Sequence, residues 1–157
     1  MYRFESKDTE EWFAKFTLHR PLFLTLGFND HVKYDYGEKV KERMKLNHKH
    51  FLKKLHKFTY AKSKRKIPRY AVIERGGKTK GMHSHMLIEN PEHLSQSQFK
   101  QLCSLAWNST KDGVSVQFEE CYFRKGLDSY NSKQQRHNNN NAMVDVENCY
   151  MNNNLDG

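Results

Sequence analysis

An α+β fold, built on one antiparallel sheet with its helices gathered on one face, is predicted by three features of the sequence. Short segments that alternate apolar and polar residues, such as "YAVIE" and "MHSHMLIE", mark strands. Two longer segments, Glu38 to about Tyr60 and "SQSQFKQLCSLAW", repeat apolar residues at intervals of three and four and mark amphipathic helices. The glycine-rich, basic "RGGKTKG" between two strand patterns marks a hairpin loop. At 157 residues the chain can bury one real core and has no room for a second large unit, so an ATP-driven motor is not expected beside it.

The elements follow in order. "KDTEEWFAKF" suits a short helix with Trp12, Phe13 and Phe16 inward, Thr9 or Asp8 as cap, and an acidic first turn. "RPLFLTLGFN" is a strand with Leu22, Leu24, Leu26 and Phe28 on one face and Phe23, Thr25, Gly27 and Asn29 on the other. Gly27, lacking a side chain, leaves that second face open to close approach. The long helix places Val40, Met44, Phe51, Leu55 and Phe58 on its apolar stripe, interrupted by Asn47. Lys39, Lys41, Lys45, Lys49, Lys53 and Lys57 crowd its other side, which reads equally well as a solvated face or a phosphate-facing one. After the basic loop "AKSKRKIPR", the strand "YAVIE" sets Tyr70, Val72 and Glu74 on one face. In the next strand His83 and His85 share a face, while Met82, Ser84, Met86 and Ile88 take the opposite one. Pro91 closes that strand. Ser95 and Gln98 then have capping-box spacing ahead of a stripe of Phe99, Leu102, Cys103 and Ala106. The last strand, "VSVQFEE", alternates through Val114, Val116 and Phe118.

Strand, helix, strand, strand, helix, strand is the ferredoxin-like βαββαβ order, with the helices on one face of the sheet and an active site expected on the other. Residues 127 to about 135 form an additional C-terminal helix in this reading, with Tyr130 and Lys133 three apart on one side. The domain is taken to span residues 1–136. The asparagine-rich stretch 137–157 is poor in core-forming residues and is expected to be flexible, or ordered only by partial docking.

A formal charge of +9 and thirteen per cent aromatic residues point to a polyanionic partner, nucleic acid first and an anionic membrane surface second. Cys103, Cys121 and Cys149 are odd in number and widely spaced, which indicates free thiols in a reducing compartment rather than a disulfide framework. The charged N-terminus has no apolar signal region, and no apolar run approaches the roughly twenty residues that span a bilayer. A cytoplasmic protein without membrane contact is the expectation.

If "RGGKTKG" closes a hairpin, Glu74 shares a sheet face with His83 and His85. Histidines alternating on a strand are, taken alone, more often surface or satisfied core groups. Two imidazoles and a carboxylate together can hold a divalent ion and leave positions open for substrate oxygens. Mg²⁺ or Mn²⁺ suits that donor set with phosphate oxygens, and the two histidines lean toward Mn²⁺.

Three blocks carry a family likeness. "FLTLGFN", "HSH" and "YNSK" occur in the order and spacing of the first motif, histidine pair and YxxK tyrosine motif of the HUH endonucleases, over roughly residues 20 to 135. With one tyrosine in the third block, the chain most resembles the initiators of rolling-circle replication, whose hosts are plasmids, phages, viruses and mobile elements. Ser84 departs from the family, which usually has a bulky apolar residue there. The resemblance implies that Tyr130 attacks a phosphodiester of single-stranded DNA, keeps the 5′ end as a phosphotyrosine and frees a 3′ hydroxyl for a polymerase. The ion held by Glu74, His83 and His85 would stabilise charge on the phosphate. Lys133 has three roles open to it: lowering the phenol pKa, orienting the phosphate or steadying a metal-bound water. Arg69, Arg75, Lys78, Lys80, Arg124 and Lys125 would surround the site and contact phosphates. A helicase would act from a separate protein. The competing expectations are a transposase or relaxase with the same chemistry, and a non-catalytic nucleic-acid-binding module whose histidines stack on bases.

Overall fold

The computed structural model describes residues 20–76, 81–120 and 142–150. The helices expected around Trp12 and Tyr130 fall outside those residues. The described elements run β1 (Pro21–Phe28), a one-turn helix α1 (Asp30–Lys33), α2 (Val40–Tyr60), β2 (Arg69–Arg75), β3 (Met82–Glu89), α3 (Gln96–Asn108), β4 (Gly113–Glu120), β5 (Ala142–Val144) and a 3-10 turn (Val146–Asn148). The result is an α+β architecture. The five strands form one antiparallel sheet in the order β4-β1-β3-β2-β5, which puts β3 at its centre.

Alternation divides the sheet as the sequence pattern demands. Leu22, Leu24, Leu26 and Phe28 of β1, Ala71 and Ile73 of β2, and Met82, Met86 and Ile88 of β3 turn to one side. Against them pack Met44, Phe51 and Leu55 of α2 and Phe99, Cys103, Ala106 and Trp107 of α3. Trp107 is the largest side chain in this core: Phe28 and Phe51 meet its ring edge-on, and its indole N–H donates to the Gly27 carbonyl at 2.9 Å. The expected capping box starts α3, with Ser95 Oγ accepting from the Gln98 amide and Gln98 Oε1 accepting from the Ser95 amide.

Two expectations change, and one open choice is decided. Phe58 is 42 % exposed, because it stands at the margin of the α2 stripe on the last turn, where Thr59 takes the buried side. Val114 is exposed at the start of β4, and only Val116 and Phe118 pack on the core. The stretch read as a tail is built into the fold over residues 142–150. There Ala142, Met143 and Val144 are buried and pair with Glu74, Ile73 and Val72 of β2, and Tyr150 bridges to Arg69. The run "AMV" supplies three apolar residues, enough for a short strand when a neighbour already offers unpaired backbone groups.

Candidate metal centre

The hairpin register sets Glu74 directly across from His83 and Val72 across from His85. On the other side of β3, Gly27 stands opposite His83 and Thr25 opposite His85. One carboxylate and two imidazoles thus meet at the centre of the sheet, on the face away from α2 and α3. Their ligand atoms lie within 4.8 Å of one another. Glu74 Oε2 is 2.8 Å from His85 Nε2 and 3.5 Å from His83 Nε2. The three side chains keep 12 to 17 % of their surface exposed, so solvent and ions reach them.

Outer contacts fix both rings. His83 Nδ1 donates to the Gly81 carbonyl at 3.0 Å, so Nε2 donates to Glu74 only in the protonated ring and in the neutral ring carries the lone pair that an ion would take. His85 Nδ1 is 3.2 Å from the Thr25 hydroxyl, a group able to donate or accept. Thr25 can therefore serve His85 both when its Nε2 donates to Glu74 and when that nitrogen binds an ion. Phe23 stacks on His85 with centroids 5.2 Å apart. Gly81 has φ +63, and a Cβ there would strike the Lys33 carbonyl, so glycine is required where the chain enters β3. A Cβ on Gly27 would run into Ser115 Oγ, which occupies the space that the missing side chain leaves.

Burial alone would raise the Glu74 pKa, but hydrogen bonds from His83 and His85, with their charge, bring it down to about 2. The carboxylate is thus ionised at any ordinary pH. A set of one anionic oxygen and two imidazole nitrogens, each held from behind, fits a divalent cation.

Behind β3 lies a second constellation that the periodicity did not reveal. Ser84, between the two histidines, points into the core, where its Oγ is 2.7 Å from His48 Nε2. His48 Nδ1 in turn is 2.8 Å from Asp145 Oδ2, and all three side chains are fully buried. Asn148 Nδ2 also donates to Asp145 Oδ2. The apolar residue expected in place of Ser84 would leave His48 Nε2 without this partner. The only sequence signal was a histidine, His48, falling on the apolar stripe of α2.

Among the other predicted site residues, Arg75 lies next to Glu74 in the chain but on the opposite face. Its guanidinium donates to the Tyr36 carbonyl at 2.9 Å and stacks over the Tyr36 ring. Arg69 is not beside the cluster. It starts β2, five residues before Glu74, and its guanidinium donates to the carbonyls of Asn148 and Ile67. Tyr130, Lys133, Lys78, Lys80, Arg124 and Lys125 lie outside the described residues, as does Cys121. Cys103 and Cys149 are free thiols, and burial pushes the Cys149 pKa up to about 12. Among the described residues no helix is long and apolar enough to cross a membrane.

No protein-family model matches the chain, and no curated protein or solved structure is significantly similar to it.

Proposed function

We infer that this chain is a metal-dependent endonuclease and strand transferase that nicks single-stranded DNA through a tyrosine and so initiates rolling-circle replication. The observation that carries this reading is the cluster of Glu74, His83 and His85, with ligand atoms within 4.8 Å, on the face of the central strand pair that α2 and α3 do not cover. The ordered blocks "FLTLGFN", "HSH" and "YNSK" support it, as does the strand order β4-β1-β3-β2, which agrees with a ferredoxin-like core to which β5 is added.

In this mechanism Glu74, His83 and His85 would hold Mn²⁺ or Mg²⁺, and the ion would supply Lewis-acid polarisation of the phosphate oxygens. The Gly81 carbonyl and the Thr25 hydroxyl keep the two imidazoles aimed at the carboxylate. Tyr130 contributes the nucleophile: its phenolic oxygen forms a bond to phosphorus as the bond to the 3′ oxygen breaks. The phenol gives up its proton, the leaving oxygen takes one up to become a 3′ hydroxyl, and the 5′ phosphate stays on the protein. The linkage retains the energy of the diester, so a 3′ hydroxyl can reverse the attack and rejoin strands. Lys133, three positions on in the same motif, would act on the phenol or the phosphate. The partners are single-stranded DNA at an origin or element end, a separate helicase and a host polymerase, all met in the cytoplasm.

The test is incubation with random single-stranded DNA and Mn²⁺, followed by a denaturing gel. A slowed protein band that needs both Tyr130 and metal is expected, absent in Tyr130→Phe. DNA retained under native conditions without any such band would remove the catalytic reading.

A further inference from the structure

On the helical side of the sheet, away from the metal centre, a cleft of about 520 Å³ lies between α2, the loop that follows it and the start of β2. That volume lies in the range of ligand sites. Its walls carry Lys49, Lys53 and His56 from α2, Lys64 and Lys66 from the loop, and Arg69 from β2, with Leu52 and Ile67 as apolar floor. Among the described residues no carboxylate lines it. Nor, among these residues, does a carboxylate pair with Lys49, Lys53, Lys64 or Lys66, and the Lys66 ammonium stands over the Tyr150 ring, 5.4 Å from its centroid.

Five permanent cations drawn together from three segments repel one another, and neighbouring acids would ordinarily relieve this. Here the relief is slight: among the described residues Asp145 acts on Arg69, and no carboxylate pairs with the four lysines. Arg69 adds a second observation. Burial lowers its pKa, and its Nε and Nη1 are committed to the carbonyls of Asn148 and Ile67. Nη2 has no hydrogen-bond acceptor among the described residues. A guanidinium anchored at two nitrogens with a third unclaimed is prepared for an oxyanion.

The cleft does not end there. A second hollow of about 530 Å³ shares Lys49, Arg69 and Asn148 with it and continues along α2 to Lys45. Acids enter only in this second hollow, as Glu42 and Glu147, and Glu42 is engaged by Lys45 at 3.3 Å. Lys45, Lys49 and Lys53 stand one turn apart, so the cationic groove runs about 12 Å along the helix. A single phosphate would use one end of it, whereas a chain of phosphodiesters uses the whole length.

We propose that this groove holds the phosphate backbone of a nucleic-acid strand, as a second contact on the face opposite the metal centre. It requires neither an ion nor Tyr130, so it stands or falls apart from strand cleavage. The experiment is fluorescence anisotropy of a labelled single strand of about 16 nucleotides, with chelator present, over a series of salt concentrations. The triple variant Lys53→Gln, Lys64→Gln, Lys66→Gln is expected to bind at least about 10-fold more weakly, with a salt slope shallower by about 2 if each lysine meets one phosphate. Affinity and slope both unchanged, with a native circular dichroism spectrum, would overturn the proposal. Acetylation of the wild-type protein needs no variant: the bound strand should slow modification of Lys49, Lys53, Lys64 and Lys66 relative to Lys111, and equal rates would count against it. A duplex arm, with its steeper slope per phosphate, tells which nucleic-acid form is preferred within the proposal. Pyrophosphate that displaces the strand at equimolar concentration would assign the cleft to a small phosphate ligand instead.

Discussion

Two clusters of histidine and carboxylate stand back to back across β3, and they differ in almost everything but composition. His83, His85 and Glu74 face outward, partly exposed, with two rings converging on one carboxylate oxygen. His48, Ser84 and Asp145 face inward, fully buried, each linked to the next at 2.7 to 2.8 Å. The second set has the connectivity of a hydrolase relay, yet nothing can reach Ser84 Oγ. Access rather than residue type separates a site from a fastening. The outer cluster concentrates donors where an ion can enter; the inner one spends its donors on joining α2, β3 and the segment after β5.

Removing Asp145 should have the largest effect. Asp145→Ala strips His48 of its buried acceptor and should lower stability to urea by about 3–5 kcal/mol, followed by tryptophan fluorescence. A loss below about 1 kcal/mol would mean that the inner cluster fastens nothing. Glu74→Gln should show the opposite pattern. Mn²⁺ affinity by calorimetry should fall by more than the roughly 10–100-fold that loss of an outer partner costs, while the urea midpoint falls less than in Asp145→Ala. Retained Mn²⁺ binding would dissolve the distinction between the clusters.

Ser84→Ala sits between the two. It unpairs His48 Nε2 and should cost about 1–2 kcal/mol of stability, yet leave Mn²⁺ affinity unchanged because its neighbours face the other way. Coupled loss of both would show that β3 transmits strain from one face to the other. The smallest effect concerns acid. Glu74 has its pKa depressed to about 2 from an ordinary value of 4.5, so its stabilising contribution is complete above 4.5 and lost as pH falls toward 2. With chelator present, the wild-type urea midpoint should drop faster across that interval than that of Glu74→Gln. Parallel curves would show that the carboxylate gains nothing from the histidines.

The outer cluster was legible because it follows from local rules. Alternation puts His83 with His85, and a tight hairpin brings Glu74 alongside; both operate within fifteen residues. The inner cluster was not legible, since His48 meets Ser84 across 36 positions and Asp145 across 97. No periodicity spans such intervals. Three apolar residues in an asparagine-rich stretch likewise gave too weak a pattern to announce β5. Arg69 shows the same limit from another side: the sequence placed it near Glu74 in the chain, but odd and even positions of a strand belong to different surfaces. Its partners, the carbonyls of Ile67 and Asn148, could be found only once residues 142–150 were seen to dock.

The short strand β5 has a consequence for how the protein is made. Until it arrives, β2 presents a row of unpaired amides and carbonyls, the arrangement on which other chains template themselves. Its partner residues are separated by some seventy positions, Val72 from Val144, and the ribosome adds roughly 5–20 residues each second. The edge of β2 therefore stays open for about 1–5 seconds after the four longer strands exist, and covering it joins residues far apart in the chain. The stretch that looks least like structure in the sequence is the one that covers the edge of β2 at Val72, Ile73 and Glu74.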